Sequence, residues 1–216
     1  MLDLERWPRR EQYELFRHYE QPFFNICAPL DVTALAAYCR QRELSFFIAS
    51  LFLSTLAVNA VEAFRYRLRE DGVVIHDQID AGSTVLRQDD TFTFGYFEYH
   101  PNFSRFNALA RQQLDSIQAG GSLDPRDDRD DLIHYSVIPW LVFTSFAHAR
   151  RLVPLDSVPK IVFGRYSESA ERLTMPVSVE VHHALMDGLH VAHYFEQFQQ
   201  ALYDCVAVLG GEPADE

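Results

Sequence analysis

The clearest pattern lies near the end of the chain. In LTMPVSVEVHH, strand alternation puts Val177, Val179, Val181 and His183 on one side and Ser178, Glu180 and His182 on the other. His183 therefore closes an apolar row at a strand terminus. Further strand patterns run through FRYRLRE, GVVIHD, STVLR, TFTFGYFEY, LIHYSVIPW, WLVFTSF and KIVFGRY. The EDG between the first two reads as a turn. Helical spacing marks FSRFNALARQQLDSIQ, with Phe103, Phe106, Leu109, Ala110, Leu114 and Ile117 on one stripe. The closing helix carries Val191, Phe195, Phe198, Leu202 and Val206.

Earlier, Pro8 suits the first turn of a helix through REQYELFRHY. Asp31 reads as the N-cap of VTALAAYCRQR. The apolar run SFFIASLFLSTLAVNAV reads as a buried core helix from Ser45 to Ala63, because Ser50, Ser54, Thr55 and Asn59 interrupt a length borderline for a membrane span. AGGSLDPRDDRDD is a polar surface loop rather than a domain boundary. Helices, strands, one helix, more strands and a last helix imply an α/β protein with a mixed sheet, a two-layer sandwich forming one domain over residues 1–216.

Composition narrows the partners. A formal net charge of −12 repels nucleic acid and anionic membranes, and RWPRR is the only dense basic stretch. Cys27, Cys39 and Cys205 are too few and too scattered for a disulfide framework. They fit a reducing compartment, and MLDLERWPRR lacks the apolar core of a secretory signal, so the expected location is cytoplasmic.

Candidate chemistry concentrates in VSVEVHHALMDGLHVAHYFEQF, with four histidines and one aspartate at a strand-to-helix joint. A partly dry imidazole at a strand end can take a proton from a hydroxyl or thiol. Asp187 can cap the following helix or pair with a cation. Capping and surface roles are the ordinary explanation of such residues. His182, His190 and His193 lack zinc spacing, and there is no H-E-x-x-H, G-x-S-x-G or phosphate-binding glycine loop, so no metal is expected.

VHHALMDGLHV resembles the H-H-x-x-x-D-G signature shared by chloramphenicol acetyltransferases and the acyltransferase cores of 2-oxo-acid dehydrogenase complexes. The chain length and the third histidine match the chloramphenicol branch. WPRREQYELFRHY, FNICAPLDVTAL, FRYRLREDGVVIHDQID, TFTFGYFEYH, SVIPWLVFTSF and RLTMPVSVEVHH are similar to that family in order and spacing, over nearly the whole chain. A lipoyl-domain-dependent acyltransferase is not the expectation, because these 216 residues show no lipoyl-domain or flexible-linker pattern.

The resemblance implies an O-acetyltransferase using acetyl-CoA as co-substrate. His183 would be the general base, and the acceptor hydroxyl would attack the thioester directly, without an acyl-enzyme. Ser136 would donate to the oxyanion, and Asp187 with Arg9 would form a structural ion pair. The family is a homotrimer with active sites between subunits. Phe16, Phe24, Phe92 and Phe146 match its apolar acceptor lining. Phe94, His134, His148 and Val162 replace a small residue, an asparagine, an apolar residue and a threonine, while Glu180 and Leu189 replace a glutamine and an aromatic. The expected acceptor is chloramphenicol. The alternatives are another small hydroxyl compound, or a trimer that binds a small ligand without chemistry.

Overall fold

The computed structural model describes residues 1–120, 123–126, 129–150 and 156–210. The chain opens with α1 (Arg10–Phe16), β1 (Phe23–Asp31), α2 (Thr33–Arg42) and α3 (Phe46–Ala60). It continues with a 3-10 turn, the hairpin β2 (Tyr66–Arg69) and β3 (Gly72–Ile75), then β4 (Asp80–Leu86), β5 (Phe92–Phe97) and α4 (Phe103–Gln118). After β6 (Leu132–Ile138), β7 (Lys160–Gly164), β8 (Ser167–Ser169) and β9 (Arg172–His182), it ends in α5 (Gly188–Tyr203) and α6 (Cys205–Gly210).

The main sheet runs β1-β9-β7-β6-β4-β5, with β8 added to the outer end of β9. β6 is parallel to both β4 and β7, and the other pairings are antiparallel, so the sheet is mixed as expected. Helices cover one face. There Val177, Val179, Val181, Ile161, Ile133 and Tyr135 meet Leu51, Phe52, Tyr194 and Phe198 in a single apolar core. Burying such side chains stabilises by roughly 1.5–3 kcal/mol each. The other face carries Ser178, Glu180, His182, Lys160, Val162, His134 and Ser136, fixed by the register Ser136↔Val162↔Ser178 and His134↔Lys160↔Glu180.

Two polar devices tie this core together. The Ser54 hydroxyl, in the middle of α3, lies 2.9 Å from the Tyr135 hydroxyl and 2.7 Å from that of Tyr194, all buried. Arg67 is fully buried, yet its guanidinium donates to the carbonyls of Phe64, Tyr66, Asp130 and Leu132, binding the β2–β3 hairpin to the start of β6.

Four sequence expectations are corrected. WLVFTSF is not a strand: residues 139–150 run irregularly beside the polar face, with Trp140, Leu141 and Val142 exposed. Val32, not Asp31, is the N-cap of α2; Asp31 is the last residue of β1 and accepts from the Thr33 amide at 2.9 Å. The apolar helix stops at Ala60, three residues short of Ala63, capped at its start by Ser45. The closing helix breaks at Asp204, which leaves Val206 exposed rather than on the buried stripe. Part of AGGSLDPRDDRDD, and residues 211–216 of the expected domain, lie outside the described residues. Among the described residues, no helix is long and apolar enough to cross a membrane.

Candidate active site

Strand β9 ends at His182, whose carbonyl receives the amides of Leu185 and Met186 at 3.0 and 3.2 Å, folding 183–186 into a tight turn. The His183 amide is held by the Pro22 carbonyl at 2.7 Å, which anchors the turn to the start of β1. The His183 ring stacks on Phe16 of α1 and tilts against Phe24 of β1. Its Nδ1 lies 3.1 Å from the Met186 carbonyl. A carbonyl only accepts, so Nδ1 carries the hydrogen and Nε2 keeps the basic lone pair.

Asp187 both caps α5 and pairs with a cation. Its Oδ1 accepts from the Leu189 amide at 3.1 Å and contacts His190 Nδ1 at 2.8 Å, in a capping box. Its Oδ2 accepts from Nη1 of Arg9, while Nη2 of the same arginine donates to the His183 carbonyl at 3.0 Å. Burial pushes the Asp187 carboxyl up, but the His190 bond and the Arg9 charge prevail and hold it below its ordinary value. The contacts of the Asp187 carboxylate are thus with Arg9 and the start of α5, which is a brace around the base.

The remaining sequence candidates lie elsewhere. Phe24 pairs with Val181 and so shares the helix-covered face with it, whereas Ser136, His134 and Val162 lie on the opposite face, one and two strands from β9. Phe94 follows the same parity on β5, and its ring meets that of Phe92, which is 52% exposed at the sheet edge. Phe146 and His148 come from the irregular 139–150 segment, their rings 4.9 Å apart. The structure therefore gathers His183, Arg9, Asp187, Phe16 and Phe24 in one place, and sets Ser136, His134, Val162, Phe92, Phe94, Phe146 and His148 on the other face of the same sheet.

Burial, with the charge of Lys160, pushes His134 down to about 4. Burial and the charge of Arg150 do the same to His182, also to about 4. Both rings are therefore neutral near pH 7, and His182 Nδ1 accepts from the Ala184 amide at 3.2 Å. Burial would raise Glu180, but its positive surroundings hold it at about 2. At 3.8 Å, His148 is too far to hydrogen-bond with Glu180, whereas Arg150 Nε donates to it at 2.5 Å.

Arg150 was not singled out in the sequence, although it stands two residues after His148 on the same segment. His190 is fixed beside Asp187 by the capping box, a role suggested by its place three residues later. Among the described residues, no group of three His, Cys, Asp or Glu is placed to hold a metal ion. A cavity of about 400 Å³ opens beside the end of β6, lined by Phe46, Phe47, Ser50, Val137, Arg165 and Tyr166 among others. The rings of Phe46 and Tyr166 stand 5.2 Å apart there.

A family model described as chloramphenicol acetyltransferase matches residues 1–199. A chloramphenicol acetyltransferase of Proteus mirabilis is 29% identical over 203 residues, covering 93% of each chain. Chloramphenicol acetyltransferase 3 of Escherichia coli is 27% identical over 201 residues, 92% of this chain and 94% of that relative. A solved chloramphenicol acetyltransferase superimposes with a TM-score of 0.87 at 28% identity, covering 93% of this chain and 98% of its own. The cubic core of the pyruvate dehydrogenase multienzyme complex reaches 0.72 at 15% identity, covering 91% and 88%, a likeness of fold alone.

Proposed function

The chain belongs to the chloramphenicol acetyltransferase family, and from that premise we propose that it transfers the acetyl group of acetyl-CoA to a hydroxyl of chloramphenicol, with His183 as the general base. The observation that carries this reading is the state of the His183 ring. Nδ1 is engaged by a carbonyl, both neighbouring walls are aromatic, and the lone pair is on Nε2.

In this mechanism Nε2 removes the proton of the acceptor hydroxyl as its oxygen attacks the thioester carbonyl. The Ser136 hydroxyl donates to the oxygen that becomes negative; one such donor contributes about 3–4 kcal/mol to lowering the barrier. Collapse expels the CoA thiolate, which takes from the His183 imidazolium the proton that came from the acceptor hydroxyl. Arg9 and Asp187 touch none of the reacting atoms: they keep the 183–186 turn in shape.

We assign the base and the oxyanion donor of one centre to two subunits of a homotrimer. The separation of His183 from Ser136 onto opposite sheet faces supports this assignment, because one chain does not bring them together. The cavity beside β6 suits the co-substrate: its apolar wall fits a pantetheine arm, the Phe46–Tyr166 pair a purine and Arg165 a phosphate. We place the enzyme in the cytoplasm, with acetyl-CoA.

The test is thiol release from acetyl-CoA by the purified protein with chloramphenicol. We expect turnover, and its loss by a factor of at least about 100 in His183→Ala. A fully active His183→Ala would end the assignment. A second reading, the same transfer to a different hydroxyl compound, is favoured by the polar groups of His148, Arg150 and Glu180 on the acceptor face.

A further inference from the structure

A second cavity of about 400 Å³ opens beside the brace, where the amino-terminal segment meets the end of α3 and the first turns of α5. Its walls include Trp7, Glu62, Tyr66, His190, His193 and Gln197. Trp7 stands two residues before Arg9, and His190 contacts the Asp187 carboxylate, so each half of the brace has a neighbour in the wall. None of the residues assigned to the base, the oxyanion donor, the acceptor or the co-substrate lines it.

The wall combines one carboxylate with aromatic rings. Tyr66 Oη donates to one oxygen of Glu62. Burial, together with that carboxylate, pushes the phenol up, so it stays a donor. The other Glu62 oxygen has no partner among the described residues. The adjacent Arg65 donates instead to the carbonyls of His76 and Asp77, and among the described residues no cation pairs with Glu62. The rings of Trp7 and Tyr66 meet edge to face, with centroids 5.8 Å apart. His190 Nδ1 lies 2.8 Å from a carboxylate oxygen of Asp187, where a bare lone pair would be repelled. The hydrogen is therefore on Nδ1, and in the neutral ring Nε2 keeps the lone pair. His193 and Gln197 are exposed, and their side chains make no hydrogen bond among the described residues.

These groups restrict what can occupy the cavity. Glu62 and the formal net charge of −12 disfavour an anion. A metal ion is not favoured either, because among the described residues no three His, Cys, Asp or Glu are placed to hold one. A neutral hydroxyl brings one hydrogen to a wall with at least two free acceptors, and no charge to the aromatic faces. An ammonium group brings three hydrogens and a charge, which Glu62 can pair and the rings of Trp7 and Tyr66 can face.

We propose that this cavity binds a small primary ammonium ion with an aromatic or alkyl body, and that Glu62 is its counter-charge. The site is separate from the proposed catalytic centre, and the inference does not depend on the transferase reading. Neither partner of that reaction matches it: acetyl-CoA is an anion, and chloramphenicol carries no ammonium group.

Isothermal titration of the full-length protein at pH 8 compares three ligands of one size: 2-phenylethylammonium, 2-phenylethanol and phenylacetate. The ammonium should bind with a Kd of about 1 mM or tighter, at least about tenfold more tightly than the alcohol or the carboxylate. Glu62→Gln should weaken the ammonium by about fivefold and leave the alcohol unchanged within about twofold. Gln197→Glu, which adds a second carboxylate at an exposed position of the wall, should tighten the ammonium by about threefold. A wild type that does not bind the ammonium, or binds it no better than the alcohol, overturns the inference. So does a Glu62→Gln protein, folded by circular dichroism, that binds the ammonium as the wild type does. Should Glu62→Gln fail to fold, Gln197→Glu decides: tightening supports the site, and unchanged affinity overturns it.

Discussion

The imidazole of His183 lies parallel to the ring of Phe16, with centroids 3.9 Å apart and 7° between planes. The stack comes from a residue at the end of α1, the helix that begins immediately after Arg9. One short amino-terminal segment therefore supplies both a wall of the base and the cation that braces its turn. Aromatic pairs of this kind contribute about 0.5–1.5 kcal/mol beyond their area. Phe16→Leu should lower kcat/KM by about 3- to 10-fold with little change in melting temperature. Steady-state kinetics and a thermal melt measure both. A loss confined to stability would place Phe16 in packing alone.

Asp187→Asn keeps the shape of the cap but leaves Arg9 without its counter-charge. Breaking a fully buried pair costs about 3–5 kcal/mol; here, with Arg9 12% and Asp187 37% exposed, about 1–3 kcal/mol is expected. The Asp187 carboxyl is held below its ordinary value. Its contribution is therefore present above the unfolded value and is lost as pH falls through the folded one. Urea denaturation at pH 7 and at pH 3 should show the wild type and the variant converging at the lower pH.

His134 and His182 both sit at about 4, against an ordinary 6.5. Between those values the unfolded chain binds protons that the folded chain refuses. Stability is then constant above about pH 7 and falls on acidification, by up to about 1.4 kcal/mol per pH unit for each ring. Melting temperatures from pH 7 to pH 4 should trace this decline, and His134→Asn should make it distinctly shallower. An identical slope in the variant would mean that other groups carry the acid sensitivity.

Mixing two inactive variants tests the shared centre. Co-expressed His183→Ala and Ser136→Ala chains should form trimers in which about a quarter of the centres receive an intact His183 and an intact Ser136 from different chains. Activity regained on co-expression, and absent when the pure variants are assayed separately, is the expected result. No recovery, with mixed trimers verified by mass spectrometry, would put both groups of a centre in one chain.

Gly164 is filled by its neighbours. A Cβ there would stand 2.6 Å from Pro176 and 2.8 Å from Phe143. Gly164→Ala should cost about 1–3 kcal/mol through overpacking. It should also disturb the segment that follows Phe143 and carries His148, so acceptor KM should rise more than the KM for acetyl-CoA.

The alternation in β9 and most of the stripe of α4 were legible, because a buried face imposes its period on the sequence, although Leu109 of that stripe is exposed; α3 was legible from its nearly unbroken apolar run, since it is buried almost all round. The brace between Arg9 and Asp187 was available only through the family resemblance: no local pattern links residues 178 positions apart. The 139–150 segment was misread because WLVFTSF has strand composition without a strand partner, and hydrogen-bond pairing is not encoded in composition. Arg150 escaped notice for the same reason: its partners come from Asp156 and from Glu180 on another strand.

Ser54 links these distant parts through its contacts with Tyr135 and Tyr194. Tyr135 immediately precedes Ser136, and Tyr194 stands two turns into the helix that Asp187 begins. A single oxygen in the middle of α3 is thus the datum from which two remote groups are both surveyed. In the proposed ring of three, a subunit whose datum drifts misplaces the base it keeps and the donor it lends to its neighbour, so one displaced hydroxyl is felt at two of the three centres.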